Sequence, residues 1–312
     1  MTTLLKSAVS LGRSPLRIHL FLDEAHDRWQ VNSTEWSTEW QQELIKRNVS
    51  VLTYGLQFPS GHIDTWKTLF RPCASQRLFI PEILEDIDAV LYVDVDTLFL
   101  VPPETLFVEM KKFDNVQLAA MTKENEDETL SAYRRMQLVA RRPFYEPWGL
   151  SSGVMLMNLT RMRAIQWSSR MWPILRQYQK RLLWGDQDIL NIFFHSHKDM
   201  LYLLNCTWNF RIDHCAQATA NCKEAEQHGA RIVHGNRHVF DNTSRHRAYT
   251  FQAVYSAFEE YKLGADLRTH LLHPLERKLT ELKASEQWNA CAQRADVFVK
   301  QLRISVAAKR RN

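Results

Sequence analysis

Two aspartates one residue apart, Asp94 and Asp96, directly follow the apolar run Ala89-Val-Leu-Tyr-Val93. Such a run is typical of a buried β-strand. In open α/β sheets, ligands bind beyond the carboxyl ends of the strands, where the strand order reverses. Because Mg²⁺ and Mn²⁺ prefer carboxylate oxygens, the pair is a candidate for a metal bound together with a nucleotide diphosphate. The pair is also typical of a turn in which an aspartate caps the next segment, and both interpretations stay open.

Two further polar positions lie at the ends of predicted elements. Asp186-Gln187-Asp188 precedes an apolar helical run at residues 189–194, and His234 follows a predicted strand at residues 231–233. Aspartates at a helix start commonly cap it, but capping explains only one of these two. A single histidine after a strand is more often structural than a ligand. Carboxylates and an imidazole at separate strand ends would nevertheless converge in an α/β crevice around one divalent ion.

Arg77 lies on the apolar face of a predicted helix. Apolar residues recur at helical spacing between Trp66 and Leu84, which predicts one helix over residues 66–84. A guanidinium on a core-facing stripe must find an anion. Arg77 either forms an ion pair with Asp94 or Asp96, or extends into the crevice and binds phosphate.

The elements that position these residues alternate between strands and helices. Apolar runs predict strands at residues 16–22, 49–54, 89–93, 117–121, 154–158 and 231–233, after an amphipathic helix at residues 4–11. The polar segment 122–142 predicts an exposed loop or helix. A turn of small residues, 148–153, leads into the strand at 154–158 and permits close approach of a ligand or of backbone. The pattern indicates an α/β fold.

Composition restricts the class of protein. A hydrophobic content of 45% with 11% aromatic residues excludes a disordered chain. The formal charge of +5 is modest for 312 residues, and part of it lies near Lys309, so we predict no nucleic-acid partner. There is no apolar run of about 18 residues, and the first residues do not resemble a signal peptide, so no membrane span is predicted.

The five cysteines favour disulfide bonding over a zinc site. Cys206, Cys215 and Cys222 lie in one polar segment without a paired metal-binding spacing, and we predict a Cys215–Cys222 disulfide. The odd count leaves one thiol, which we assign to Cys73. Sequons for N-glycosylation, if the chain enters the secretory pathway, occur at Asn32, Asn48, Asn158, Asn205 and Asn242.

Several of these segments together resemble glycosyltransferase family 8, and more closely its glucoside xylosyltransferases, which extend O-linked glucose on EGF-like repeats of Notch-type receptors. The likeness covers residues 4–260 and rests on residues 66–81, Leu91-Tyr-Val-Asp94-Val-Asp96, residues 151–162, Trp184-Gly-Asp186-Gln187-Asp188, residues 206–215 and Val233-His234-Gly235-Asn236.

The resemblance implies a GT-A fold, a Rossmann-like mixed sheet flanked by helices that binds UDP-xylose with Mn²⁺. It implies that Asp94, Asp96 and His234 are the metal ligands and that Asp186 and Gln187 are catalytic, meeting donor hydroxyls and the anomeric carbon. The implied donor-binding residues are Arg77, Asp94, Val95, Asp96, Ser151, Ser152 and Gly235. Because Gln187 is a poor nucleophile, we favour same-face attack over a covalent intermediate, with Gln187 or Asp186 stabilising the sugar cation.

The resemblance also implies what surrounds this domain. We expect the catalytic domain at residues 1–262 and a helical extension with a basic tail at 263–312. Relatives begin with a membrane anchor and a first strand that this sequence lacks, so we expect the ER or Golgi lumen for the longer parent protein, as a type II membrane protein. The expected partners are a UDP-sugar and glucosylated EGF-like repeats. The alternatives are another family 8 hexosyl transfer and an inactive fragment that only binds donor or acceptor.

Overall fold

A computed structural model describes residues 1–23, 38–69, 72–217, 221–241 and 248–309. Within these ranges the chain alternates strands and helices, which confirms the predicted α/β class. The described strands are β1 Leu16–Leu22, β2 Val49–Gly55, β3 Ala89–Val93, β4 Thr97–Phe99, β5 Ala119–Lys123, β6 Leu150–Asn158, β7 Leu201–Leu204 and β8 Ile232–His234.

The helices are mostly short and lie outside the sheet. They are α1 Thr2–Leu11, α2 Thr38–Lys46, α3 Ile63–Lys67, α4 Pro72–Ser75, α5 Ile80–Ile83, α6 Phe107–Met110, α7 Ala132–Ala140, α8 Leu159–Ala164, α9 Trp167–Tyr178, α10 Asp186–Ser196, α11 Lys223–His228, α12 Tyr249–Glu260, α13 His273–Ser285, α14 Ala290–Gln293 and α15 Lys300–Lys309. Single 3₁₀ turns join several of them, among them Cys206–Asn209. No described helix is both long and apolar enough to span a bilayer.

The central sheet has four strands in the order β3-β6-β5-β7. Strand β6 runs antiparallel to both β3 and β5, while β5 and β7 are parallel, so the sheet is mixed as predicted. The β3–β6 register pairs Val93 with Val154, which brings the residues after β3 beside the start of β6. The backbone N–H of Asp94 accordingly donates to the Gly153 carbonyl at 2.9 Å.

Two smaller sheets complete the described β-structure. Strands β1 and β2 form a parallel pair, and β4 pairs antiparallel with β8 in the register Thr97 to His234. Strand β3 has β6 as its one strand neighbour among the described residues. Its five apolar residues are therefore only half-buried, whereas the first eight residues of β6 are fully buried.

Alternation along β6 separates two hydrophobic clusters. Val154 and Leu156 contact the cluster that includes α1 and α12, while Met155 and Met157 contact the one that includes α9 and α10. Successive side chains of a strand point to opposite faces, so helices cover both faces of the sheet. The apolar residues of α13 and α15 join the first cluster. The predicted division between residues 262 and 263 stays a prediction.

The single helix predicted over residues 66–84 is wrong. This stretch contains the end of α3, then α4, a 3₁₀ turn at Gln76–Phe79, and α5. Pro72 and Pro81 lie at the starts of α4 and α5. Because proline has no backbone N–H and its ring opposes the preceding turn, each proline interrupts a continuous helix.

The predicted Cys215–Cys222 disulfide is also wrong. Cys206 pairs with Cys222, and Cys215 pairs with Cys291. Cys215 lies beyond a second 3₁₀ turn, Ile212–His214, and α14 brings Cys291 to a Cα–Cα distance of 4.8 Å from it. Nearness along the chain therefore did not decide the pairing. Cys73 is free, as predicted, and is exposed.

We predict that the two disulfides differ in their contribution to the free energy of unfolding. Cys215–Cys291 closes a loop with a sequence separation of 76, against 16 for Cys206–Cys222. The loop-entropy relation gives about 4.5 and about 3 kcal/mol respectively. Urea unfolding of the two double serine variants should therefore show the larger loss for Cys215→Ser/Cys291→Ser. Equal losses would mean that native-state contacts, and not loop length, set the stabilisation.

Candidate functional site

The predicted metal ligands lie together at the end of β3. The β4–β8 pairing places His234 opposite Thr97, one residue after Asp96, and the Gly235 N–H donates to the Asp96 carbonyl at 2.6 Å. His234 Nε2 lies 3.7 Å from Asp94 Oδ2 and 3.3 Å from Asp96 Oδ1. One ligand atom from each of the three residues lies within 4.8 Å of the other two. Two carboxylates and an imidazole in this arrangement could together hold a divalent metal ion.

Gly153 makes room for this cluster. A Cβ added at Gly153 would lie 2.2 Å from His234 Cε1 and 3.1 Å from Asp94 Oδ2. The first distance is far inside van der Waals contact, so a side chain here would displace the imidazole. The sequence predicted a turn at residues 148–153 that a ligand or backbone approaches closely, whereas residues 150–153 belong to β6 and the group that approaches Gly153 is the His234 side chain.

Arg77 joins the metal cluster to the start of α10. Its Nη2 lies 2.9 Å from Asp94 Oδ1, and its Nε lies 2.7 Å from Asp186 Oδ2. The guanidinium also covers the Tyr92 ring at 4.4 Å and donates to the Ser152 carbonyl. The predicted ion pair is therefore present, and its partner is Asp94. Burial opposes the charge of Arg77, but Asp186 and Asp94 outweigh it and raise its pKa above the ordinary value.

His234 acts similarly on the second aspartate of the cluster. Burial disfavours the charged form of Asp96, but the hydrogen bond and charge of His234 outweigh burial and lower the pKa of Asp96. Val95, predicted to bind the donor, lies between the two aspartates with its side chain 65% exposed. The two aspartates are partly buried, with side chains 25% and 44% exposed.

Asp186 is buried, yet one of its oxygens receives no hydrogen bond. The Arg77 Nε–H donates to the Ala74 carbonyl at 3.2 Å, so Arg77 neutralises Asp186 by charge without donating to its Oδ2. That oxygen has no hydrogen-bond partner among the described residues. Burial, as the largest cause, raises the pKa of Asp186 to about 6. A buried acceptor without a donor is suited to a ligand hydroxyl.

Gln187 and the two predicted serines form the wall next to Asp186. Gln187 Oε1 accepts hydrogen bonds from Ser152 N at 3.0 Å and Ser152 Oγ at 3.2 Å. Ser151 Oγ accepts from Asn209 Nδ2 at 3.0 Å. Ser152 therefore links the start of β6 to Gln187 in the first turn of α10.

Asp188 has a structural role that differs from the predicted helix cap. Its Oδ2 accepts from the backbone N–H groups of Leu183 and Trp184, which precede α10, and its Oδ1 pairs with Arg142 at 2.6 Å. Both members of this ion pair are almost fully buried. The pair therefore fixes the turn that leads into Asp186 and Gln187.

Sequence reasoning missed several supporting residues. It predicted an exposed segment at residues 122–142, but Tyr133 and Arg142 are buried there. The Arg142 guanidinium lies over the rings of Tyr133 and Trp184, and the Tyr133 hydroxyl accepts from Gln187 Nε2 at 3.4 Å. The segment is polar in composition, and the residues that bury Tyr133 and Arg142 are distant along the chain, so their burial was not visible in the sequence.

Comparisons with known proteins agree on one family. The family model described as Glycosyl transferase family 8 matches residues 3–238. The chain is 40% identical to "Glucoside xylosyltransferase 1" of Gallus gallus, over 97% of this chain and 69% of that protein. It is 37% identical to "Glucoside xylosyltransferase 2" of Xenopus laevis, over 96% of this chain and 70% of that protein.

A solved structure shares the fold. The glycosyltransferase GlyE of Streptococcus pneumoniae TIGR4 aligns with a TM-score of 0.54 and 17% sequence identity. The alignment covers 89% of this chain and 60% of that chain. At this identity the likeness concerns the fold alone, and it confirms the predicted GT-A type of α/β structure.

The raised pKa of Asp186 gives a testable dependence of stability on pH. Between pH 3.8, its ordinary pKa, and about pH 6, the folded chain keeps a proton that the unfolded chain has released. The free energy of unfolding should therefore fall as pH rises through this interval, by on the order of 3 kcal/mol from this group. Asp186→Asn should remove that part of the slope in urea unfolding series from about pH 4 to about pH 7.

The matched control is Asp88→Asn, since Asp88 is a partly exposed acid that accepts a hydrogen bond from Thr160 and lies away from this cluster. It should leave the Asp186 contribution to the slope in place. A slope that is identical in wild type and in Asp186→Asn would show that Asp186 is ionised normally in the folded protein.

Proposed function

The chain belongs to glycosyl transferase family 8, and from this premise we propose that it transfers xylose from UDP-xylose to O-linked glucose, with retention of configuration and with Mn²⁺ in its site. The observation that carries the proposal is the convergence of Asp94, Asp96 and His234 beside the buried pair Arg77 and Asp186. The names of the relatives at 37–40% identity support xylose as the sugar.

The three ligand residues fit a divalent cation by chemistry and by distance. Oxygen and imidazole ligands suit Mn²⁺, and Gly153 leaves the space that the imidazole needs. When bound, the cation supplies positive charge to the donor diphosphate, whose oxygens gain negative charge as the sugar leaves. Asp94, Asp96 and His234 hold it in place.

Arg77 contributes fixed positive charge on the other side of Asp94. It is buried and remains charged, because Asp94 and Asp186 raise its pKa. Its hydrogen bonds to Asp94 and to the Ser152 carbonyl orient the guanidinium before any donor binds. Preorganised charge of this kind stabilises a leaving diphosphate without reorganisation during the reaction.

Asp186 and Gln187 face the sugar in this proposal. The Oδ2 of Asp186 is paired with the Arg77 charge but receives no hydrogen bond, and it accepts a donor hydroxyl, which orients the sugar. The Gln187 amide, held by Ser152 and Tyr133, presents a dipole and not a strong nucleophile. We therefore propose same-face attack by the acceptor, with Gln187 or Asp186 stabilising positive charge at the anomeric carbon. A trapped covalent sugar on either side chain would contradict this route.

For the acceptor and the compartment we propose glucosylated EGF-like repeats of Notch-type receptors, modified in the lumen of the ER or Golgi. The two disulfides support an oxidising compartment, since such bonds are rare in reducing ones.

The first test combines donor binding with transfer. Wild type should bind UDP in the presence of Mn²⁺ by isothermal titration, and should transfer xylose from UDP-xylose to a glucosylated EGF-like repeat, detected by the mass of the product. Asp96→Ala should abolish Mn²⁺-dependent UDP binding and reduce transfer by at least about a hundredfold, because it removes one of the three proposed metal ligands. Asp114→Ala is the matched control and should behave as wild type, because the exposed Asp114 side chain accepts hydrogen bonds, among the described residues, only from the backbone of its own turn.

Two results would contradict the proposal. Transfer that is unaffected by Asp96→Ala would exclude the metal site from the reaction. A folded chain that binds UDP with Mn²⁺ but transfers glucose or galactose in preference to xylose would keep the family and change the donor.

The space at Gly153 gives a second prediction. Gly153→Ala should weaken Mn²⁺ binding by at least about tenfold, since the added methyl group would overlap His234 and displace a ligand. Gly55→Ala is the matched control, because a Cβ at Gly55 meets no atom within 4 Å. Titration of Mn²⁺ followed by the electron paramagnetic resonance of the free ion measures both. Unchanged affinity in Gly153→Ala would mean that His234 is not a ligand.

A further inference from the structure

Asn209 lies between His234 of the metal cluster and Ser151 of β6. It is fully buried, at the end of the 3₁₀ turn Cys206–Asn209. Its Oδ1 lies 2.9 Å from His234 Nδ1, and its Nδ2 lies 3.0 Å from Ser151 Oγ and 3.1 Å from Thr122 Oγ1. One amide group therefore contacts both a proposed metal ligand and a proposed donor-binding residue.

We propose that Asn209 is a positioning residue that selects the His234 nitrogen available for metal binding. An amide oxygen only accepts hydrogen bonds, so the hydrogen between Asn209 Oδ1 and His234 Nδ1 belongs to the imidazole. A ring that keeps its hydrogen on Nδ1 binds a cation through Nε2, the nitrogen that faces Asp94 and Asp96. The opposite tautomer would present an N–H to the cation.

The backbone holds Asn209 in register with its histidine. Phe210, the next residue, donates its N–H to the Ile232 carbonyl at 2.8 Å and accepts from His234 N at 2.8 Å. The Cys206–Cys222 disulfide ties the start of the same turn to the beginning of α11. The backbone of Asn209 is thus held by the disulfide before it and by the Phe210 hydrogen bonds after it. The hydroxyls of Ser151 and Thr122 fix the plane of its side chain.

The three hydrogen bonds of this side chain also explain why the residue is an asparagine. A carboxamide offers an acceptor to His234 and two N–H groups to Ser151 and Thr122 at the same time. A leucine of similar size would leave the Nδ1 hydrogen buried without an acceptor, which is unfavourable. The ring would then be free to rotate or to change tautomer. Hydrogen-bond partners of this kind typically alter metal affinity by about 10–100-fold when removed.

The test measures Mn²⁺ binding directly, with the full chain and with the resonance of free Mn²⁺ as the readout. Asn209→Leu should weaken Mn²⁺ binding by about 10–100-fold. Asn209→Asp keeps an acceptor and cannot donate to Nδ1, so it should bind Mn²⁺ at least as tightly as wild type. Asn158→Ala is the control for losing a structural asparagine, since Asn158 caps α8 and should affect stability alone.

Transfer assays add a readout that loss of folding would not reproduce. In Asn209→Leu the Mn²⁺ concentration needed for half-maximal activity should rise with the dissociation constant, and Asn209→Asp should restore it. Should Asn209→Leu not fold, Asn209→Asp alone decides: binding that is tenfold weaker or worse overturns the proposal. Unchanged Mn²⁺ affinity in a folded Asn209→Leu overturns it as well.

This inference rests on the proposed function only through the identity of the three metal ligands. If wild type does not bind Mn²⁺, the proposed function and this inference both fail. If wild type binds Mn²⁺ and Asn209→Leu binds it equally well, the proposed function stands and the role of Asn209 is overturned.

Discussion

The ion pairs of Arg77 hold the two halves of the site together. A guanidinium that is 5% exposed contacts Asp94 after β3 and Asp186 at the start of α10. Removing one member of a buried ion pair leaves an uncompensated charge, which is far more costly than the pair itself is stabilising. The position of α10 relative to β3 therefore depends on this side chain, and the remaining site residues are arranged around it.

The charges around Arg77 do not balance. Asp94, Asp96 and Asp186 surround one guanidinium and one imidazole, and all three acids are more than half buried. Burial, with the charge of Asp94 as a smaller cause, raises the pKa of Asp186 to about 6, so Asp186 loses its negative charge only below that pH. A divalent cation beside Asp94 and Asp96 would offset the excess negative charge. The electrostatics of the described residues thus favour a bound cation independently of any relative.

Sequence reasoning succeeded where the signal is local. Asp94 and Asp96 follow an apolar strand, and the strand, its bounds and the nearby His234 could be predicted from runs of residues. It failed where the pattern used for the prediction does not report the feature that decides the structure. Two prolines interrupted the helix predicted around Arg77, and Cys215 pairs with a residue in the C-terminal helices. Helical spacing of apolar residues does not register a proline that interrupts the helix. Cysteine spacing does not register a partner that is distant along the chain.

The same distinction applies within the site. Residues that offer charge to a ligand, such as Asp186, are noticed because a buried charge is unfavourable unless it is paired or binds a ligand. Residues that orient those groups do not, because Asn209, Tyr133 and Gly153 have ordinary types and act only through neighbours that are distant along the chain. Their roles follow from the antiparallel pairing of β3 with β6 and of β4 with β8, which brings Gly153 and His234 to the same side of Asp94. A change in either register by one residue would turn these side chains away from the site, since successive residues of a strand face opposite sides. Strand register therefore determines both how the sheets pair and which side chains face the site.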